Sequence, residues 1–161
     1  MTKRLSSCIY GFLAAFMLLT SSCNSDIVFT DSHPIHGNIW KLMDFASFKV
    51  PIDDSLSANN ISFIIRSGSS YPFRNMYLFI TTTSPDGKSI SDTLLYNITD
   101  EHGKYLGKGF GDVHELTVPY KSNVYFPRNG TYKFKIQHGM RVEDLKGIYD
   151  IGMKIEKIRI K

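Results

Sequence analysis

Cysteine is nearly absent from the 161-residue chain. Two residues, Cys8 and Cys23, exclude a disulfide-rich scaffold and a four-thiolate zinc site. The five histidines, at 33, 36, 102, 114 and 138, show no His-x-x-x-His or other metal-ligand spacing. Charge of one sign is scarce too: the formal net charge is +4, and Lys and Arg are scattered among acids. A nucleic-acid binder would gather them into a stripe, so nucleic acid is not an expected partner. No apolar run approaches the roughly 20 residues of a membrane-spanning helix. The sequence also lacks a Gly-x-Ser-x-Gly elbow, a P-loop and a repeat of 20–50 residues. Gly107, Gly109 and Gly111 imitate part of a dinucleotide fingerprint, but no helix follows them. The acid pairs Asp53-Asp54, Asp100-Glu101 and Glu143-Asp144 are sequence neighbours, which on a strand point to opposite faces. No catalytic residue, cofactor or metal is therefore expected, and the chain reads as non-enzymatic.

What the chain has is a marked first segment. Lys3 and Arg4 precede an apolar stretch from Cys8 to Leu19, too short to span a bilayer but suited to a signal h-region. Leu19-Thr-Ser-Ser-Cys23 then resembles a lipobox, the bacterial signal that ends in an acylated cysteine, with Thr20 where an aliphatic residue is usual. Residues 1–22 are thus expected to leave as a lipoprotein signal peptide, with Cys23 as the lipidated N-terminus. Acyl burial, about 0.8 kcal/mol per CH₂, would supply membrane affinity through the lipid anchor. Cys8 leaves with the signal and Cys23 is consumed by lipid, so no thiol remains for chemistry. Lys3 and Arg4 carry away half of the +4.

Residues 23–37 are mostly polar and read as a tether with one short strand, long enough to lift the rest up to ~40 Å from the bilayer at ~3.3–3.6 Å per residue. A single Asp26 is a weak surface-export signal, which favours a periplasm-facing anchor over the cell surface. From residue 38 to 161 the pattern has period two, as expected of one β-domain. Aromatics, at 13%, suit a half-buried pleated surface. Ile61, Phe63 and Ile65 share one strand face. The stretch 75–82 is apolar on both faces, and Ser84-Pro-Asp-Gly87 turns it into the returning strand 90–98. The glycines of 104–111 indicate a bulged edge strand or a crossing loop. Two short strands, 115–120 and 124–126, separated by a turn, precede strand 132–138. Val142 to Ile148 predicts a helical turn ended by Gly147, and the last strand slips at Glu156-Lys157, as at a β-bulge. Eight or nine strands with Gly, Pro and Asn turns predict an all-β antiparallel sandwich, jelly-roll-like in connectivity.

The run Tyr71-Pro-Phe-Arg-Asn-Met-Tyr77 and the glycine-rich loop 105–110 supply the candidate binding residues Tyr71, Phe73, Arg74, Tyr105 and Phe110. Exposed aromatics and arginine suit protein contacts. A surface carbohydrate-binding module is the second reading, with Trp40 and the tyrosines as a stacking platform.

The order of motifs is more specific than any one of them: Tyr71-Pro-Phe-Arg-Asn75-Met-Tyr-Leu-Phe79, Asp92-Thr-Leu94, Gly103-Lys-Tyr-Leu-Gly107, Gly130-x-Tyr-x-Phe-x-Ile136, Met140-Arg141 and Leu145-x-Gly-Ile148. With the lipobox and Trp40, this series resembles the gliding-motility lipoprotein GldH family of Bacteroidetes from about residue 27 to 156. The resemblance implies an envelope lipoprotein, an accessory of the gliding and type IX secretion machinery with protein partners there, and it brings no catalytic residues. In such a host Asp54-Ser55-Leu56 and Asp92-Thr93-Leu94 fit an O-glycan acceptor pattern, Ser55 better than Thr93.

Overall fold

The computed structural model describes residues 26–158. The signal segment, Cys23, and residues 24 and 25 of the tether lie outside the described residues. Eleven strands follow in order: β1 (Ile27–Pro34), β2 (Ile39–Lys41), β3 (Ala46–Ile52), β4 (Asn59–Ser67), β5 (Asn75–Thr83), β6 (Ser89–Asn97), β7 (Lys108–Phe110), β8 (Val113–Val124), β9 (Gly130–His138), β10 (Asp144–Lys146) and β11 (Ile148–Lys157). One 3₁₀ turn, His36–Asn38, is the helical element among the described residues. Every ladder is antiparallel. A five-stranded sheet runs β1-β11-β4-β8-β7, a four-stranded sheet runs β3-β9-β5-β6, and β2 pairs with β10 alone.

Alternation explains the packing. Phe48 and Val50 of β3, Leu78 and Ile80 of β5, and Phe134 and Ile136 of β9 turn inward from the four-stranded sheet and are buried. Phe63 and Ile65 of β4, with Ile151 and Met153 of β11, meet them from the five-stranded sheet. Each such side chain contributes about 1.5–3 kcal/mol by leaving water. Trp40 and Leu145, direct partners in the β2–β10 pair, are fully buried and join the same core. The indole Nε1 donates to the Asp44 carbonyl at 2.7 Å, satisfying its one polar atom. Phe29 against Phe48 (6.4 Å between ring centroids) joins one edge of the sandwich. At the other edge the Tyr96 hydroxyl donates to the Pro119 carbonyl (2.6 Å), and Tyr120 donates to Asp92 (2.7 Å).

The all-β antiparallel sandwich is the expected class, with strand 75–83, the Pro-Asp-Gly turn and strand 89–97 where alternation puts them. The strand count exceeds eight or nine because β2, β7 and β10 have three residues each, too few to show a period. Four local readings change. The 142–148 segment is strand β10 and not a helical turn; Leu145 faces Trp40 and Gly147 ends it at φ +79°. Residues 113–124 form one bulged strand, not two; Asn123 takes φ +55° and its amide reaches the Asn60 side chain at 3.1 Å. The bulges flanking the last strand sit at Val28 and Tyr149, while at Glu156-Lys157 the β11–β4 register is regular. The one short strand expected within the tether is Ile27–Pro34, longer than expected: eight residues forming an edge strand on β11, part of the five-stranded sheet. Its outward residues are polar because it is an edge, which hides its period.

Candidate functional site

Two inner strands, β9 and β5, carry the four-stranded sheet, and none of the other strands lies over its outer face among the described residues. Residues of odd number on β5 therefore point to solvent: Tyr77 is 40% exposed and Phe79 is 44% exposed. Leu95, the cross-strand partner of Tyr77 on β6, is 49% exposed. These are large apolar side chains that burial does not account for. The β5–β9 ladder ends at Leu78 and His138, and the next residue lacks a side chain. Gly139 donates to the Tyr77 carbonyl at 2.7 Å, and a Cβ there would come within 2.8 Å of the Phe79 ring. Phe79 thus lies across bare backbone. Beyond it the chain bends away, and the Tyr77 amide donates to the Met140 sulfur at 3.4 Å.

The result is an open groove of about 550 Å³ lined by Phe73, Tyr77, Phe79, Thr93, Gly139, Met140, Arg141 and Val142. Phe73 also forms a wall of a neighbouring, more polar cavity of about 450 Å³ with Tyr71, Arg74, Asp100, Glu101 and Tyr105. One aromatic ring divides two adjoining depressions.

The structure brings four of the five candidate residues together. Tyr71 is buried and supports the others: its hydroxyl donates to the Asn75 carbonyl at 2.6 Å and its ring packs edge-on to Phe73 at 6.0 Å. Burial pushes its phenol well above the ordinary tyrosine value. The Tyr105 ring stacks on His114 (centroids 3.9 Å apart), and its hydroxyl donates to the Gly68 carbonyl at 2.7 Å. Arg74 is exposed at the rim. Asp112 accepts from the Ser69 amide (2.9 Å) and the Tyr149 hydroxyl (2.7 Å), and these bonds hold its carboxyl down at about 2. Phe110, 96% exposed on β7, lines neither depression. Tyr77, Phe79, Met140 and Arg141 were not among the candidate residues; the available signal was the aromatic pair Tyr77 and Phe79 on one face of strand 75–83.

Trp40 is fully buried, so no stacking platform can be built on it. A further cleft of about 340 Å³ opens between the sheets below Tyr120, lined by Ile90, Tyr125, Phe126 and Tyr132 with Lys88 and Lys121. Among the described residues, no group of three or more His, Cys, Asp or Glu side chains could hold a metal ion. The groove can bind; it offers no nucleophile beside a base.

Comparison with known proteins matches residues 27–155 to the family described as GldH lipoprotein. A protein named gliding motility lipoprotein GldH homolog from Christiangramia forsetii is 37% identical over 148 residues, covering 88% of this chain and 90% of that one. The gliding motility lipoprotein GldH of Flavobacterium johnsoniae is 33% identical over 154 residues, covering 91% and 95%. Among solved structures, dimeric latent PorU from Porphyromonas gingivalis aligns over 86% of this chain and 14% of its own at 12% identity, with a TM-score of 0.32, too low to support a shared fold. The family match spans both main sheets and the groove, and the chain belongs to the GldH lipoprotein family.

Proposed function

We propose that this protein is a non-enzymatic accessory of the gliding and type IX secretion machinery, which docks another envelope protein in the groove on its four-stranded sheet. The observation that carries this is the groove itself: Phe73, Tyr77, Phe79 and Met140 are apolar groups held at the surface, with Arg74 and Arg141 beside them. Buried aromatic and arginine anchors dominate protein–protein contacts, and methionine adapts to a partner's shape. The relatives' names place them in gliding motility, which supports a partner in that machinery.

On this reading residues 1–22 are removed and Cys23 carries the lipid, with the domain facing the periplasm. Strand β1 begins at Ile27, so Asn24, Ser25 and Asp26 are the whole leash. At ~3.3–3.6 Å per residue these three reach about 10–11 Å, against the ~40 Å that a longer tether would give. The domain therefore rides close to the bilayer, and its partner must reach the groove there. The test is affinity purification of the tagged protein from envelopes. One discrete partner should be recovered with wild type and lost with Phe79→Ser or Arg141→Ala; equal recovery with the variants would reject the groove.

A further inference from the structure

Beyond the groove, the same outer face has a second chemical character. Register places two rows straight across its four strands. Ser47, Lys135, Thr81 and Ser91 form one row; Lys49, Lys133, Thr83 and Ser89 form the next. Strand spacing of about 4.8 Å makes each row roughly 14 Å long. The second row is two lysines followed by two hydroxyls, and the first sets Lys135 among three hydroxyls. Lys49, Lys133 and Lys135 are all exposed, and none of them forms an ion pair. Lys135 lies over the Phe45 ring at 5.4 Å.

No carboxylate on these strands answers the lysines. Asp92 is the one acid in the four strands, and it points to the other side, where Tyr120 donates to it at 2.7 Å and Lys121 pairs with it at 2.9 Å. The five-stranded sheet behaves differently. There Arg66 pairs with Glu115 at 2.8 Å and Asp150 at 2.9 Å, and Lys154 pairs with Glu156 at 2.9 Å. Lys49 stands directly opposite Lys133, an arrangement that costs stability in a sheet. The two faces thus differ: one pairs its charges, and the other presents lysines to solvent with no carboxylate on its own strands to meet them.

We propose that this face binds an acidic polysaccharide, one carrying carboxylates along its chain. The lysines would take the carboxylates. The five hydroxyls, Ser47, Thr81, Thr83, Ser89 and Ser91, select a sugar over an acidic peptide: a hydroxyl both donates and accepts, as sugar hydroxyls do, whereas a carboxylate only accepts. Thr81 and Ser91 (3.2 Å) and Thr83 and Ser89 (2.8 Å) already pair in this reversible way, either oxygen serving as donor. The strand spacing is comparable to the length of one sugar ring, so a chain laid along a row meets a polar group at each step.

The test measures binding of the full-chain protein, in neutral detergent, to polygalacturonate, with dextran as the uncharged polymer and polyglutamate as the acidic peptide. Polygalacturonate should bind, weaken as salt rises, and lose about tenfold in affinity with Lys133→Gln/Lys135→Gln. Thr81→Val/Thr83→Val should weaken binding without changing its salt dependence. Dextran should not bind. Lys154→Gln, on the opposite face, should leave binding unchanged. The lysine pair variant should melt no lower than wild type, since it relieves repulsion, which separates lost binding from lost fold. Polyglutamate binding as tightly as polygalacturonate, or an unaffected lysine variant, or no binding to polygalacturonate, would overturn the proposal. These variants leave Phe73, Phe79 and Met140 in place, so partner recovery through the groove should persist and the two readings fail separately.

Discussion

Replacing Gly147 by alanine separates two costs that a glycine can hide. Gly147 joins β10 to β11 at φ +79°, donates to the Asn38 carbonyl (2.8 Å) and accepts from the Gly68 amide (2.9 Å). An L side chain at that φ costs roughly 1–2 kcal/mol. A Cβ would also press on the Tyr71 amide nitrogen and stand 2.7 Å from the Ser70 carbonyl carbon and Tyr71 Cα. Those are backbone atoms pinned by the Tyr71 and Gly68 hydrogen bonds, so relief requires moving the loop, at roughly 1–3 kcal/mol as in other overpacked sites. The sum is about 2–5 kcal/mol. Gly87 supplies the control: φ is +85° and nothing lies within 4 Å of its added Cβ, so Gly87→Ala should cost only the first part. At roughly 3–4 °C per kcal/mol for a domain this size, Gly147→Ala should lower the melting temperature by about 6–20 °C and Gly87→Ala by about 3–8 °C. Thermal unfolding followed by circular dichroism reads both. Gly147→Ala should also weaken partner capture, because Tyr71 supports Phe73. Equal melting shifts for the two variants would refute the close approach as a rigid contact.

Three further outcomes follow from the same geometry. Gly139→Ala meets only the movable ring of Phe79 and the Tyr77 Cβ, so it should change melting by about 1 kcal/mol or less yet reduce partner capture by reshaping the groove; unchanged capture would count against Phe79 as an anchor. Arg66→Met removes the bridge from β4 to Glu115 on β8 and Asp150 on β11, at about 1 kcal/mol after allowance for solvent screening, and the loss should shrink at high salt in denaturant titrations. His138 is fully buried with neither ring nitrogen hydrogen-bonded; burial holds its basicity below the usual 6.5, and the Trp40 backbone, too poorly placed for a full bond, offsets part of this. The unfolded chain then takes up the proton first, so stability present above about pH 6.5 should fall as pH drops toward the folded value, and His138→Met should flatten that slope in melting curves from about pH 7 to 5.

The readable parts of this fold are strands with one wet and one dry face. Ile61, Phe63 and Ile65 announce β4 because their neighbours are polar or less buried, and Pro85-Asp86-Gly87 announces its hairpin by turn chemistry alone. Strand β1 is legible only as a short strand in the tether, because an edge strand with both faces mostly wet has no period to show its full length; its order comes from β11, more than a hundred residues away. Strand β10 escapes for the opposite reason, since Val142 and Leu145 mimic helical spacing while Trp40 determines what Leu145 packs on. The slip at Glu156-Lys157 is real but marks the strand's end, where Ile158 donates to the Ala58 carbonyl at 2.8 Å. Of the candidate residues, Tyr71, Phe73, Arg74 and Tyr105 come from an aromatic run and a glycine loop that the fold sets around one depression. Tyr77 and Phe79 looked like the second buried face of a central strand. Their exposure depends on whether anything covers that sheet, which no local pattern encodes.

On the proposed function, Phe79 and its neighbours meet a partner in the envelope. Site-specific photocrosslinking in living cells tests it most directly, with the photoreactive residue placed in turn at Phe79, at Arg141, and at Thr117 on the opposite sheet. A discrete crosslinked envelope protein is expected from the first two positions and none from the third. Crosslinks from Thr117 alone, or none from Phe79 and Arg141 in cells where the protein supports normal function, would contradict it.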